Sequence, residues 1–190
     1  KHLGAQTGMI SILHTWGQTL TLHPHLHCIV PGGGLTEQGK WRMARSKGKY
    51  LFPVKAMSKV FRAKFVESLK NKIPDLGKNL LNELFKKDWV IYAKRPFGTP
   101  MNVIEYLGRY THKIAISNHR IKEIENGKVT FSFKDYRDGA KQKEMAMEGM
   151  EFIRRFSLHI LPKGFVRMRH YGILSSTSKK VSIPEIKKQL

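Results

Sequence analysis

The order of apolar and polar residues along this chain of 190 residues predicts strands and helices in mixed succession. Short apolar or alternating runs are typical of strands, and they occupy residues 9–16, 25–30, 89–93, 120–124, 129–133 and 144–147. Apolar residues at helical spacing predict amphipathic helices, and they occupy residues 57–69, 76–84, 101–110 and 150–161. Antiparallel hairpins mixed with helices favour the α+β fold class.

Turn and capping residues define several of these boundaries. Asn126-Gly127 lies between two alternating runs, which is a strong hairpin signal. Thr99 can cap a helix and Pro100 suits its first position, so a helix is expected to begin there. We find no internal repeat and no linker. We therefore expect one domain over residues 1–175, followed by a basic, flexible tail over residues 176–190.

The charge of the chain indicates a polyanionic partner. There are 35 Lys and Arg against 14 Asp and Glu, a formal net charge of +21, which is more than solubility needs. Between Lys40 and Lys72 lie eleven basic residues and one acid, Glu67, so the helix predicted there has a basic outer face. An anionic membrane is the other physical partner, but no long apolar span supports it. The one cysteine, Cys28, excludes an internal disulfide and fits a reducing compartment.

A histidine pair is the first candidate for chemistry. His25 and His27 flank Leu26 on a predicted strand. Residues two apart on a strand project from the same face, about 7 Å apart, so the two imidazoles can converge on one divalent cation. His14, on the preceding strand, lies opposite one of them, depending on the hairpin register. It is therefore either a third ligand or a hydrogen-bonded core histidine.

A tyrosine pair is the second candidate. Tyr106 and Tyr110 are four residues apart on a predicted helix and share one face. Helical tyrosines often only pack, but Gly108 is a costly residue in mid-helix, and Arg109 and Lys113 bring charge to this neighbourhood. Together with a metal-binding histidine pair, the tyrosines suit phosphodiester transesterification, in which a tyrosine hydroxyl attacks phosphorus. The product is a 5′-phosphotyrosine with a free 3′-hydroxyl, and two tyrosines permit two such attachments.

The motifs and longer segments make the chain similar to the HUH superfamily of endonucleases, and more closely to the two-tyrosine rolling-circle transposases of bacterial insertion sequences. His25-Leu26-His27 matches the His–hydrophobic–His motif, and Tyr106 with Tyr110 matches the paired tyrosines. The segments that resemble the family's hallmark segments are residues 13–18, 22–34, 106–112, 131–139 and 161–167. The resemblance covers residues 2 to about 173.

The resemblance implies a central antiparallel sheet with flanking helices, with the histidine pair on a middle strand and the tyrosine helix beside it. It implies Mg²⁺ or Mn²⁺ as cofactor, and a bacterial cytoplasmic, nucleoid-associated enzyme that nicks and rejoins single-stranded DNA at transposon ends and target. By this resemblance, Tyr106 and Tyr110 are expected to be the nucleophiles, and His25 and His27 the metal ligands.

The third metal ligand of the superfamily varies in type and position. Here His14 comes first on hairpin geometry, and Asn102 and Glu105 on the tyrosine helix are the alternatives. Family members usually also carry an N-terminal cysteine-rich zinc-binding segment, which a chain with one Cys cannot supply. We therefore expect either that flanking segments belong to the intact protein or that the chain comes from a decayed element. The intact His25, His27, Tyr106 and Tyr110 argue against decay of the active site.

Basic residues near the motifs and in the Lys40–Lys72 region are candidate phosphate contacts, with salt-sensitive binding and little base specificity. Those near the motifs are Arg95, Arg109, Lys113, Arg167 and Arg169. The stretch 165–171 is basic with aromatic residues at both ends, which predicts either a nucleic-acid contact or an ordinary edge strand.

Two other functions stay open. One is a basic nucleic-acid-binding module without catalysis. The other is a metal-dependent phosphoesterase that uses water, which would usually want carboxylate ligands, and residues 1–36 contain none.

Overall fold

The computed structural model describes residues 3–44, 51–111 and 114–190, with residues 109–111 described by their backbone only. The strands in these ranges are β1 (Gly8–Trp16), β2 (Leu22–Ile29), β3 (Gly33–Leu35), β4 (Trp41–Met43), β5 (Ile121–Glu125), β6 (Lys128–Asp135), β7 (Lys141–Glu148) and β8 (Met168–Gly172). The helices are α1 (Val54–Lys72), α2 (Lys78–Lys86), α3 (Pro100–Thr111), α4 (Gly149–Ser157) and α5 (Lys179–Gln189). This mixture of antiparallel strands and helices confirms the α+β class.

The described strands pair in three antiparallel sheets, with the orders β2-β1-β8, β3-β4 and β5-β6-β7. The predicted hairpin of β1 and β2 is confirmed, and its register sets His14 opposite His25. One expectation is wrong. The histidine pair lies on β2, an edge strand of its sheet over the described ranges, and β1 is the middle strand. The cause is the pairing of β1 with β8, a strand from the other end of the chain that local sequence does not reveal.

Local signals in the sequence account for most of the other elements. At the predicted β5–β6 turn, Asn126 and Gly127 have φ of 49° and 74°, as a tight hairpin turn requires. Helix α3 begins at Pro100, and the hydroxyl of Thr99 accepts a hydrogen bond from the Asn102 N–H at 3.3 Å. Helix α4 ends at Ser157, four residues before the predicted end at residue 161.

The chain folds as two compact units: Lys1–Gln6 with Pro31–Pro96, and Thr7–Val30 with Phe97–Leu190. The second unit contains the main buried cluster, formed by Trp16, Leu20, Ala115, Ile116 and Phe131. Phe152 and Phe156 of α4 pack against it. This core lies where the β1–β2 turn meets the β5-β6-β7 sheet, and it therefore supports the base of the histidine hairpin.

The first unit is less closely packed than its sequence predicts. The apolar residues of α1 that were expected to face inward are 38–53% exposed: Met57, Val60, Phe61 and Phe65. Helix α1 instead buries Val66 and directs Arg62 to the carbonyl oxygens of Phe85 and Lys87. The spacing of apolar residues does not reveal which face of α1 is covered, because α1 and the shorter α2 bury only a narrow face of each other.

The strand expected over residues 89–93 is also wrong. These residues form no regular element, although Trp89 is packed against α1. Within the described ranges the neighbours of Trp89 are helices α1 and α2, whose backbone groups bond within each helix. They therefore offer no strand edge with which residues 89–93 could pair.

The segment expected to be a flexible tail contains α5, whose buried Ser182 donates to the carbonyl oxygen of Ile173 at 2.5 Å. The domain boundary at residue 175 stays a prediction. Over the described ranges, no helix combines the length and apolarity that crossing a bilayer requires.

Candidate active site

Three histidines converge on the face of the β1–β2 hairpin. The register sets His14 beside His25, and His27 follows two residues later on the same face of β2. His25 Nε2 lies 3.2 Å from His14 Nδ1 and 3.0 Å from His27 Nε2. One nitrogen from each ring lies within 4.8 Å of the others, so the three could hold one metal ion. Hairpin geometry had singled out the same three residues.

The backbone determines which nitrogen of His25 is available to a ligand. His25 Nδ1 lies 2.7 Å from the carbonyl oxygen of His23. Because a carbonyl only accepts, Nδ1 carries the proton, and in the neutral ring Nε2 presents its lone pair to the cluster. A second hydrogen bond of this kind orients ligand histidines in many metal sites. His23 therefore supports the site through its main-chain carbonyl.

Burial and positive neighbours keep His14 uncharged. Its pKa is lowered from 6.5 to about 4, first by desolvation and then by electrostatic repulsion of its protonated form by His25, His27, Arg167 and His23. At neutral pH the His14 imidazole is therefore in the form that can ligate a metal. The shift also means that added positive charge is unfavourable here unless an anion or a change of protonation compensates for it.

Helix α3 brings a tyrosine to the histidines. Tyr106 Oη lies 2.7 Å from His27 Nδ1, and the direction of this hydrogen bond depends on the His27 tautomer. The Tyr106 ring also packs against Phe97, with ring centroids 5.2 Å apart, and is half-buried. His27 thus has one nitrogen in the histidine cluster and the other on a potential nucleophile.

Arg167 adds a permanent positive charge to this side of the hairpin. Its guanidinium carbon lies 5.4 Å from the ring centroid of Trp16, and the Trp16 ring lies 4.2 Å from that of His14. The aromatic face stabilises the guanidinium by a cation–π interaction. Arg169, the other candidate phosphate contact in the stretch 165–171, lies on β8. It is exposed and lies over the Phe165 ring instead, 5.8 Å from its centroid.

The turn between β1 and β2 is held by three side chains from distant parts of the sequence. The carbonyl of Gln18 accepts from Arg120 at 2.5 Å, that of Thr19 from Arg155 at 3.3 Å, and the buried His159 lies 3.1 Å from that of Leu20. These contacts position the hairpin that bears the histidines. Sequence reasoning missed the three donors, as well as Phe97, because no local pattern distinguishes an isolated residue whose partner is remote.

Several predicted site residues lie elsewhere or outside the description. The side chains of Tyr110 and Arg109 are outside the described part of the structure, as is the whole of Lys113. Glu105 is exposed and is not in the histidine cluster, and the side chain of Asn102 bonds to Thr99. Arg95 is an exposed residue of the first unit.

Comparisons with known proteins agree with one another. Residues 8–181 match the family model Y2_Tnp, described as "Putative transposase". The chain is 46% identical to "Putative transposase y4qJ" of Sinorhizobium fredii, over 97% of this chain and 50% of that protein. It is 28% identical to "Transposase for insertion sequence element IS801" of Pseudomonas savastanoi pv. phaseolicola, over 98% of this chain and 48% of that protein. No solved structure matches. The chain thus spans about half the length of these relatives, and it belongs to the Y2_Tnp transposase family.

Proposed function

We propose that this chain is the catalytic part of a transposase that nicks and rejoins single-stranded DNA through 5′-phosphotyrosine intermediates, as in rolling-circle transposition. The observation that supports this most directly is the contact of 2.7 Å between His27 Nδ1 and Tyr106 Oη. It joins a cluster that can hold a cation to a hydroxyl that can attack phosphorus. Family membership supports DNA as the substrate.

The donor set of the cluster fits a divalent cation. His14, His25 and His27 each offer one nitrogen, and over the described residues no carboxylate belongs to the cluster. Mg²⁺ is bound in proteins chiefly through carboxylates, phosphates and waters, so of the two expected cations the imidazoles favour the transition ion Mn²⁺. When bound there, the cation would supply Lewis-acid polarisation of a phosphate oxygen.

His27 has a second role in this proposal, which is to orient the nucleophile. If its Nε2 is a ligand, its ring proton must lie on Nδ1, and that N–H then donates to the Tyr106 oxygen. A donor in this position stabilises negative charge on the attacking oxygen. Phe97 fixes the other side of the phenol ring, so the hydroxyl stays directed at the cluster.

Arg167 is the phosphate-binding residue of the site. It lies beside Trp16 and close enough to His14 for its charge to lower the pKa of that imidazole. A guanidinium can donate two parallel hydrogen bonds to a phosphate, and it stabilises charge that builds up during transfer. Tyr110 serves as the second nucleophile and Arg109, Lys113, Arg95 and Arg169 as further phosphate contacts, as the sequence indicates.

The proposed step conserves atoms and charge. The Tyr106 oxygen forms a bond to the phosphorus of a DNA phosphodiester, and the bond from phosphorus to the 3′-oxygen breaks. The phenolic proton is released to water, and the leaving 3′-oxygen takes up a proton to become a hydroxyl. Attack of another 3′-hydroxyl on the phosphotyrosine reverses these changes and rejoins a strand.

A denaturing gel tests the proposal. The protein is incubated with 3′-labelled single-stranded DNA from the ends of the insertion element, with Mn²⁺ or with a chelator. Wild type is compared with Tyr106→Phe, Tyr110→Phe, the double variant, and Tyr136→Phe as a control at an exposed tyrosine of the β6–β7 turn. We expect label on the protein only with metal, retained by the control and abolished in the double variant.

The other outcomes distinguish the alternative functions. Cleaved DNA that is free of protein and persists in the double variant would mean that water is the nucleophile. DNA binding without an adduct or cleavage under every metal tried would leave a nucleic-acid-binding module. Either result would overturn the transesterase proposal.

A further inference from the structure

The chain leaving α2 is fastened to the two helices of the first unit. Arg62 donates to the carbonyl of Lys87 at 3.0 Å, and the Trp89 indole N–H donates to the carbonyl of Leu84 at 3.0 Å. The Trp89 carbonyl accepts from the Ser58 hydroxyl at 2.5 Å. These contacts give residues 87–89 a defined position against α1 and α2, although they form no strand.

The anchoring of Trp89 turns the following side chains outward. The Trp89 ring packs against Phe61 and Phe65, with centroid distances of 5.3 and 5.0 Å. Trp89 and Ile91 are partly buried, whereas Val90 is 95% and Tyr92 is 79% exposed. This inward–outward alternation presents Tyr92 to solvent from a fixed base.

Positive charge lies at both ends of this segment. Lys87 precedes it, and Lys94 and Arg95 follow it, all exposed, with Asp88 as the acid nearest in sequence. We propose that residues 87–95 form a surface that binds single-stranded nucleic acid, with a base stacked on Tyr92 and phosphates on Lys94 and Arg95. An aromatic ring between cationic side chains is the combination that such strands require.

The positive charge of the surface and the exposure of Tyr92 favour single-stranded nucleic acid over a duplex or a second copy of this chain. In a duplex the bases are stacked on each other and cannot reach Tyr92. A second copy of this chain would bring a like-charged surface onto Lys94 and Arg95, since the chain has a net charge of +21. A single strand offers both an accessible base face and negative charge. The inference rests on the proposed function, in which single-stranded DNA is the substrate and Arg95 contacts phosphate, and it adds Tyr92 as a stacking platform. Binding here requires neither a divalent cation nor the Tyr106 hydroxyl.

Fluorescence anisotropy in a chelator tests the surface separately from catalysis. The probe is a labelled oligothymidylate of about 15 nucleotides. We expect Tyr92→Ala to weaken binding about tenfold with an unchanged salt dependence, and Tyr92→Phe to bind as wild type because stacking needs only the ring. A double variant, Lys94→Gln with Arg95→Gln, should bind more weakly and be less sensitive to salt. The slope of log affinity against log salt concentration should become shallower by about 0.7 for each lost phosphate contact.

Tyr136→Ala is the matched control. Tyr136 is 70% exposed, like Tyr92, but it lies on the β6–β7 turn outside residues 87–95, where Asp135 and Asp138 already pair with Lys143. Its loss should leave binding unchanged.

Equal effects of Tyr92→Ala and Tyr136→Ala would overturn the proposal, as would equal affinity for a duplex of the same length. Dimers that form in light scattering and vanish in Tyr92→Ala would also overturn it, because they would identify a second copy as the occupant. If Tyr92→Ala binds the oligonucleotide as wild type does and still forms the covalent DNA adduct, this surface is rejected and the proposed function stands.

Discussion

The His25 side chain connects backbone geometry to chemistry at the candidate site. Its Nδ1 proton is bound by the His23 carbonyl, and its Nε2 lies within about one hydrogen-bond length of both neighbouring histidines. The spacing of His25 and His27, and the position of His14 on the preceding strand, could be predicted from sequence. The tautomer could not, because it depends on a main-chain carbonyl that only the folded turn brings into place.

Replacing His25 tests whether the cluster binds metal. We expect His25→Ala to weaken Mn²⁺ binding by at least about tenfold, since one of three ligands is lost. His119→Ala, at an exposed histidine outside the cluster, should bind Mn²⁺ as wild type. Isothermal titration with MnCl₂ provides the measurement. Equal affinities in wild type and His25→Ala would contradict assignment of this site to a cation.

Two glycines should respond to alanine in opposite ways. A Cβ on Gly108 meets no described atom within 4 Å, so Gly108→Ala should stabilise helix α3 by about 0.5–1 kcal/mol. A Cβ on Gly172, which has φ of 58°, would collide with the carbonyl oxygen of Thr7 where β8 meets β1. Gly172→Ala should therefore destabilise the fold by about 2 kcal/mol or more. Urea unfolding monitored by circular dichroism compares the pair, and stabilisation by both variants would contradict this packing.

At the scale of elements, the β1–β2 turn is the most heavily supported part of the site. Arg120, Arg155 and His159 each contact one carbonyl of three consecutive turn residues. Arg120 also donates to the Ser132 carbonyl of β6 at 2.8 Å, which connects the turn to the neighbouring sheet. A hairpin held in this way keeps its histidines at nearly fixed separations, as metal binding requires.

Glu151 makes this support dependent on pH. Hydrogen bonds from Arg154 and Arg155 lower the pKa of Glu151 from 4.5 to about 2. Because this pKa is depressed in the folded state, the stabilisation is fully present above about pH 4.5 and is lost as the pH falls toward 2. We expect Glu151→Gln to be slightly less stable than wild type at neutral pH. Its stability should also fall less than that of wild type between about pH 4.5 and 2. Thermal unfolding between pH 2 and 6 measures the difference, and parallel profiles would contradict the prediction.

The elements that could be predicted are those whose signals are local. Thr99-Pro100 marked the start of α3, and Asn126-Gly127 marked a hairpin. The failures have a common physical cause. Residues 89–93 have the composition of a strand but pair with no strand in the described ranges. The edge position of β2 follows from β8, which is remote in sequence. Strand formation depends on a second segment, so a pattern within one segment cannot decide it.

At the scale of the whole molecule, charge should govern association with the proposed DNA substrate. With a net charge of +21, contacts to phosphates should dominate the affinity. For about six such contacts, raising the salt from about 50 to 200 mM should weaken binding to single-stranded DNA by roughly a hundredfold or more. Tyr106→Phe should show the same salt dependence, because the proposal gives its hydroxyl no phosphate contact before the chemical step. An affinity that is insensitive to salt would contradict a binding mode dominated by phosphates.

The most direct test of the central claim is to locate the covalent bond between protein and DNA. The adduct formed with Mn²⁺ is digested with nuclease and protease, and the peptides are analysed by mass spectrometry. We predict a nucleotide on the α3 peptide, attached to Tyr106, with Tyr110 modified in a second fraction. An adduct on a residue outside α3, or cleavage that leaves no modified peptide, would contradict the assignment of Tyr106 as the nucleophile.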